Sequence, residues 1–158
     1  MRQRTHTTEE ALREAILNEA LSWVGTPYRH QASRKGVGCD CLGLLRGVWR
    51  NVLGREAEDP GVYSADWAEC GGEERLLSAA RRHCIEQAQT APKPGDIVLF
   101  RWRIHLPAKH VGIMTATDAF VHAYEGSAVV VSALVPQWRR RIAGVFAFPL
   151  PPSSIPGK

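Results

Sequence analysis

At Pro94 and Gly95 the chain changes its period, and that one change limits the folds open to it. Before this turn apolar residues recur three and four apart; after it they alternate, or run in short blocks between turn residues. A repeat of 3.6 lines one face of a helix, and a repeat of two lines one face of a strand. Helices first and strands afterwards, with no βαβ alternation and no internal repeat, is the α+β pattern with an antiparallel sheet in the second half. The 158 residues, 44% of them hydrophobic, suffice for one core rather than two.

In the first half, Thr7 or Thr8 caps a helix through "EEALREAILNEALSWVG", with Leu12, Ala15, Ile16, Ala20 and Val24 inward and Gly25 as its stop. "TPYRHQASRKGVGCD" reads as loop and leads into "CLGLLRGVWRNVLG", where Leu45, Val48, Trp49 and Val52 have helical spacing. A third helix over "EERLLSAARRHCIEQA" turns Leu76, Leu77, Ala80 and Cys84 inward. The strands are "IVLFRW", "HVGIMTA", "AFVHAYE", "AVVVSAL" and "GVFAFP". Residues 1–149 form the single domain expected, and the proline-rich stretch 150–158 is expected to trail off disordered.

Composition excludes several classes. No apolar run approaches the roughly 20 residues of a membrane span, so membrane insertion is not expected and the chain should be soluble. The net charge of +4 is modest, and Arg139 to Arg141 lack the aromatic interleaving of a nucleic-acid platform. The N-terminal residues lack the apolar stretch of a secretion signal, which predicts synthesis in the cytoplasm without that export route. Cys39, Cys41, Cys70 and Cys84 are expected as free thiols. With His83 they contain no C-x-x-C pair of zinc-ligand spacing, so neither metal nor cofactor is expected.

One of these cysteines has a setting for chemistry. Cys41 falls on the first turn of a buried helix, where unpaired amides and the helix dipole favour a thiolate, and the glycines of "GVGCDC" let backbone approach closely. Of six histidines, His110 and His122 alone lie on predicted strands. A three-residue connection, Ala116 to Asp118, places Gly112 opposite His122 with His110 diagonal to it on one face; a two-residue connection places the two histidines on opposite faces. On one face, His122 orients the His110 ring, as the third group of a triad does.

The series "GTPYRHQ", "GVGCDCLGLLRGVW", "PGDIVLF", "KHVGIM" and "FVHAYEG", from about Trp23 to Phe148, resembles the NlpC family of cell-wall cysteine endopeptidases, in particular its branch in phage tails and phage-like gene transfer agents. The resemblance implies a reduced papain-like fold and cleavage of peptidoglycan stem peptides, typically between D-glutamate and a diamino acid. It implies Cys41 as nucleophile, His110 as base and His122 as third member, with Tyr28 and Asp40 around the substrate amine and the oxyanion. It further implies delivery to the periplasmic wall in a particle, beside a tail hub or baseplate protein. Leu42 departs from the serine that many members carry after the nucleophile, which weakens the usual preference for an N-terminal L-alanine. A thiol acyltransferase on the same fold, or a non-catalytic tail module, are the competing readings.

Overall fold

The computed structural model describes residues 2–61 and 74–150, with side chains from residue 8 onward. Three helices, α1 (Arg2–Leu21), α2 (Cys41–Leu53) and α3 (Arg75–His83), precede most of the sheet. Two short strands, β1 (Ser33–Arg34) and β2 (Gly38–Cys39), pair within the segment read from sequence as plain loop. The main sheet holds β3 (Ile85–Gln87), β4 (Ile97–Phe100), β5 (His110–Ala116), β6 (Ala119–Ala123), β7 (Val129–Ala133) and β8 (Ile142–Ala147). Its order is β3-β8-β4-β5-β6-β7, with every pairing antiparallel, and a single turn α4 (Pro136–Arg139) lies between β7 and β8. This is the α+β arrangement that the change of period predicts.

Three details differ from the sequence reading. Helix α1 begins at Arg2 rather than at Thr8 and ends at Leu21. Its last residues close with i→i−3 bonds, Trp23 N to Ala20 O and Val24 N to Leu21 O, and this tighter winding turns Trp23 inward. Trp23 is therefore fully buried while Val24 and Ala15 are exposed; the inward face is Leu12, Ile16, Ala20 and Trp23. Helix α3 stops at His83, because Cys84 is extended (φ −124°, ψ 168°) and Ile85–Gln87 pairs with the free edge of β8. Cys84 is thus the cap of α3 rather than part of its inward face, though it still packs against the core. Cys70 and the proline-rich stretch 151–158 lie outside the described residues.

Alternation along the strands makes two buried layers. Ile97, Leu99, Val111, Ile113, Val121 and Phe146 face the helices, packing with Ile16, Trp23, Leu44 and Val48. Val98, Phe100, Met114, Phe120 and Val145 face the other way, covered by Leu134 and by Trp138 of α4. Trp23 reaches α2 only because residue 47 is glycine: a Cβ there would overlap its indole ring. The β5–β6 hairpin settles the register question differently from either alternative. Its turn is the two residues Thr117 and Asp118, yet Ile113 pairs with Val121 and Met114 with Phe120, which sets Gly112 opposite His122. Parity is restored by a bulge between Met114 and Ala116, where Thr115 is the extra residue. His110 and His122 share a face as the three-residue reading required, by a different device.

Candidate active site

Helix α2 is started by Asp40, in extended conformation, whose Oδ1 accepts from Gly43 N at 2.7 Å. Oδ2 accepts from Gln31 N at 2.7 Å and thereby holds Gln31 in the left-handed region (φ 63°). A buried carboxylate satisfied by two amides fixes both the helix and the loop crossing it, the cap bond alone being worth about 1 kcal/mol. Asp40 was expected beside the substrate amine and oxyanion. Both of its oxygens are engaged by backbone, so here it is a cap and loop anchor. Past the other end of α2, Gly54 (φ 80°) sends its amide to Arg50 O.

With Gly43 N taken by the cap, the amides of Cys41 and Leu42 point at the Cys41 thiol, joined by that of Val111. The thiol donates to Lys109 O at 3.7 Å. It is thus bracketed by the backbone groups on either side of His110, at the start of β5. Among the described residues the thiol makes no hydrogen bond to the imidazole itself.

His110 and His122 are hydrogen-bonded, Nε2 to Nδ1, at 2.8 Å, and His122 Nε2 is 2.8 Å from Ser132 Oγ. His122 is fully buried and His110 nearly so. Aromatic rings hold them: Trp102 and Trp138 stack on His110 with centroids at 5.5 and 5.7 Å, and Phe120 lies 4.4 Å from His122. The loop before His110 is pinned as well. Glu74 accepts from Arg101 Nη1 at 2.7 Å and from Ala108 N at 3.1 Å. Sequence reading missed Trp102, Trp138, Ser132 and Glu74; each lies in an element whose face or loop path is set only by tertiary packing.

Tyr28 lies beside Cys41. Its backbone bridges Cys39 and Ser127, and its phenol is held above its usual pKa by burial, then by the neighbouring Cys41, Asp40 and Glu125. His30 Nδ1 is 3.9 Å from Asp40 Oδ2. Cys39 is fully buried and a free thiol, as is the half-buried Cys84; burial pushes both up to about 12.

The protonation of the site departs from expectation. A thiolate was anticipated from the helix terminus. Burial and then the Asp40 carboxylate push the Cys41 thiol up to about 12, and the three amides offset only part of this. Burial, then His122 and Lys109, push His110 down to about 3, and burial takes His122 to about 4. Enclosure by aromatic rings makes a lone charge costly, so the resting pair is neutral thiol and neutral imidazole.

Acid stability follows with a definite sign. Unfolded histidines titrate near 6.5, so below that pH the unfolded chain binds protons that the folded one refuses. The stability is whole above about pH 6.5 and is lost as pH falls toward 4 and then 3. The urea midpoint is expected to be lower at about pH 4.5 than at about pH 7.5, and His122→Gln, which removes one of the two groups, to lose less over that interval. Equal losses in both proteins would refute the assignment.

The chain matches the NlpC/P60 family over residues 25–146. It is 28% identical over 137 residues to the gamma-DL-glutamyl hydrolase of Bacillus subtilis, covering 84% of this chain and 29% of that protein. It is 27% identical over 131 residues to the murein DD-endopeptidase MepS/murein LD-carboxypeptidase of Escherichia coli K12, covering 82% and 60%. The chain therefore spans less than two thirds of either relative. Among solved structures, the NlpC/p60 domain of the peptidoglycan hydrolase SagA superposes with TM-score 0.57 at 26% identity, covering 86% of this chain and 98% of that one. A Bacillus cereus NlpC/P60 protein superposes with TM-score 0.63 at 17% identity, covering 88% and 40%. With a thiol at a helix N-terminus, a histidine pair on the adjoining sheet and a family match across most of its length, this chain belongs to the NlpC/P60 family.

Proposed function

We propose that this chain is a cysteine endopeptidase acting on peptidoglycan stem peptides, with Cys41 as nucleophile, His110 as general base and acid, and His122 as the group that orients it. The observation that carries the reading is the His110–His122 bond in an aromatic enclosure, beside a thiol aimed at by three amides. The thiol proton passes to His110 Nδ1 as sulfur attacks the scissile carbonyl, and the Cys41 amide is among the donors for the oxyanion. Creating both charges in one step avoids the isolated charges that the enclosure disfavours. His110 then gives the proton to the leaving amine as the C–N bond breaks. It next takes one from the water that attacks the thioester, and the thiol is restored when the acyl group leaves as a carboxylic acid.

The bond we assign is D-glutamyl to diamino acid. The sequence resemblance supports it, as does the name of the Bacillus subtilis relative, a gamma-DL-glutamyl hydrolase. The setting we assign is a phage-like tail, where the chain would sit beside hub or baseplate proteins and reach the periplasmic wall by injection. Purified protein incubated with wall digests, without an added amine, is expected to release fragments ending in D-glutamate and to expose new diamino-acid amines, read by mass spectrometry. Turnover only with an amine acceptor would indicate an acyltransferase, and no turnover in either condition would leave a non-catalytic module. Mass spectrometry of purified particles is expected to find this chain; its complete absence would end the tail assignment.

A further inference from the structure

We propose that Ser132 is a positioning residue that sets the tautomer of both histidines, through the unbroken chain from His110 to His122 to Ser132. This rests on the reading of Cys41 and His110 as nucleophile and base. Ser132 is on β7, opposite Phe120 and one step diagonal from His122, so its hydroxyl falls on the histidine face of the sheet.

A neutral imidazole has one N–H and one lone-pair nitrogen, which leaves two ways to fill the chain. In one, His110 Nε2–H donates to His122 Nδ1, and His122 Nε2–H donates to Ser132 Oγ. His110 Nδ1 then carries a lone pair and is able to take the thiol proton. In the other, Ser132 donates to His122 Nε2 and His122 Nδ1–H donates to His110 Nε2. His110 Nδ1 then already holds a hydrogen, and the base is blocked. Ser132 is only half-buried, so its own hydrogen has water as an outlet and its lone pair is left for His122. With alanine at 132, the working arrangement would bury an N–H of the fully enclosed His122 without an acceptor, whereas the blocked one would bury only a lone pair. The balance moves toward the blocked form.

The test compares the full chain with Ser132→Ala and Ser132→Thr. Imidazole nitrogen-15 shifts read the tautomers, and iodoacetamide labelling of Cys41 reads the base without any substrate. Stem-peptide turnover gives kcat and KM. Wild type is expected to hold Nε2–H on both histidines. Ser132→Ala is expected to move His122 toward Nδ1–H, and to lower Cys41 labelling and kcat roughly tenfold with KM within about twofold. Ser132→Thr, which keeps the hydroxyl, is expected to restore all three. A wild-type His122 protonated on Nδ1, or a Ser132→Ala protein with unchanged tautomers and rates, would overturn the proposal. A protein that keeps the tautomers and the Ser132-dependent labelling but cleaves no stem peptide would support it, while defeating the endopeptidase reading alone.

Discussion

Cys41→Ala is expected to abolish stem-peptide cleavage, a loss on the order of 10⁴-fold or more, while leaving the unfolding midpoint almost unchanged. The side chain is small and partly buried, and its partners are backbone groups, Lys109 O and the neighbouring amides, that remain in place without it, so little packing goes with it. Among the described residues no other thiol is placed to substitute, since Cys39 is fully buried and Cys84 is the cap of α3. His110→Ala is expected to be nearly as severe, because the neutral thiol depends on a base for its ionisation. His122 needs a different substitution. It is fully enclosed, so alanine would open a cavity and confuse orientation with stability, whereas glutamine keeps volume and a polar end. His122→Gln is expected to fall between wild type and His110→Ala in kcat. Iodoacetamide is expected to label Cys41 first, and the His110→Ala protein to lose that preference. Equal labelling of the cysteines in wild type, or a Cys41→Ala protein that still cleaves, would remove Cys41 from the mechanism.

The second large effect is on folding. Gly43→Ala is expected to destabilise the chain by about 3 kcal/mol or more, or to prevent its accumulation. A Cβ at Gly43 would fall on the Ala32 carbonyl, and within 3.0 Å of Asp40 Oδ1. Neither neighbour is able to yield. Ala32 O accepts from Asp40 N at 3.2 Å, and Asp40 is locked by the amides of Gly43 and Gln31. Glycine is required here by close approach rather than by an unusual φ, and the loop that crosses it delivers Tyr28 to the nucleophile. Gly36→Ala is the control: no atom lies within 4 Å of its Cβ position, though its φ of 77° makes a small cost expected. Denaturant unfolding of the two proteins, giving equal midpoints, would sink the claim.

Much of this fold was legible because local pattern and tertiary role agree. The five strands of the second half show their alternation or apolar runs directly, and α2 shows both its periodic face and its glycine stop. Cys41, His110 and His122 were nameable because each stands at a position whose backbone element the sequence specifies. The misses share a cause. Ile85–Gln87 is a strand because β8 offers it an edge, and nothing local to "CIEQ" announces that. The role of Asp40 depends on a loop folding back nine residues, to Gln31. The neutral state of the thiol depends on how tightly it is enclosed, whereas a helix-terminus argument sees only the dipole.

The bulge at Thr115 has a consequence for how this chain can vary. Hairpin tips ordinarily gain and lose residues freely, since they lie outside the packed layers. Here the pairing on either side of the bulge, Ala116 with Ala119 and Met114 with Phe120, and not the bare residue count, sets the side on which the His122 ring emerges. Losing Thr115 alone would leave Ala116 opposite Ala119 and Met114 opposite Phe120, so Gly112 would still face His122 and the two rings would keep one side. A single-residue change is therefore tolerable where the bulge takes it up, whereas a one-residue slip of β6 against β5 beyond the bulge would turn His122 into the layer of Ile113 and Val121.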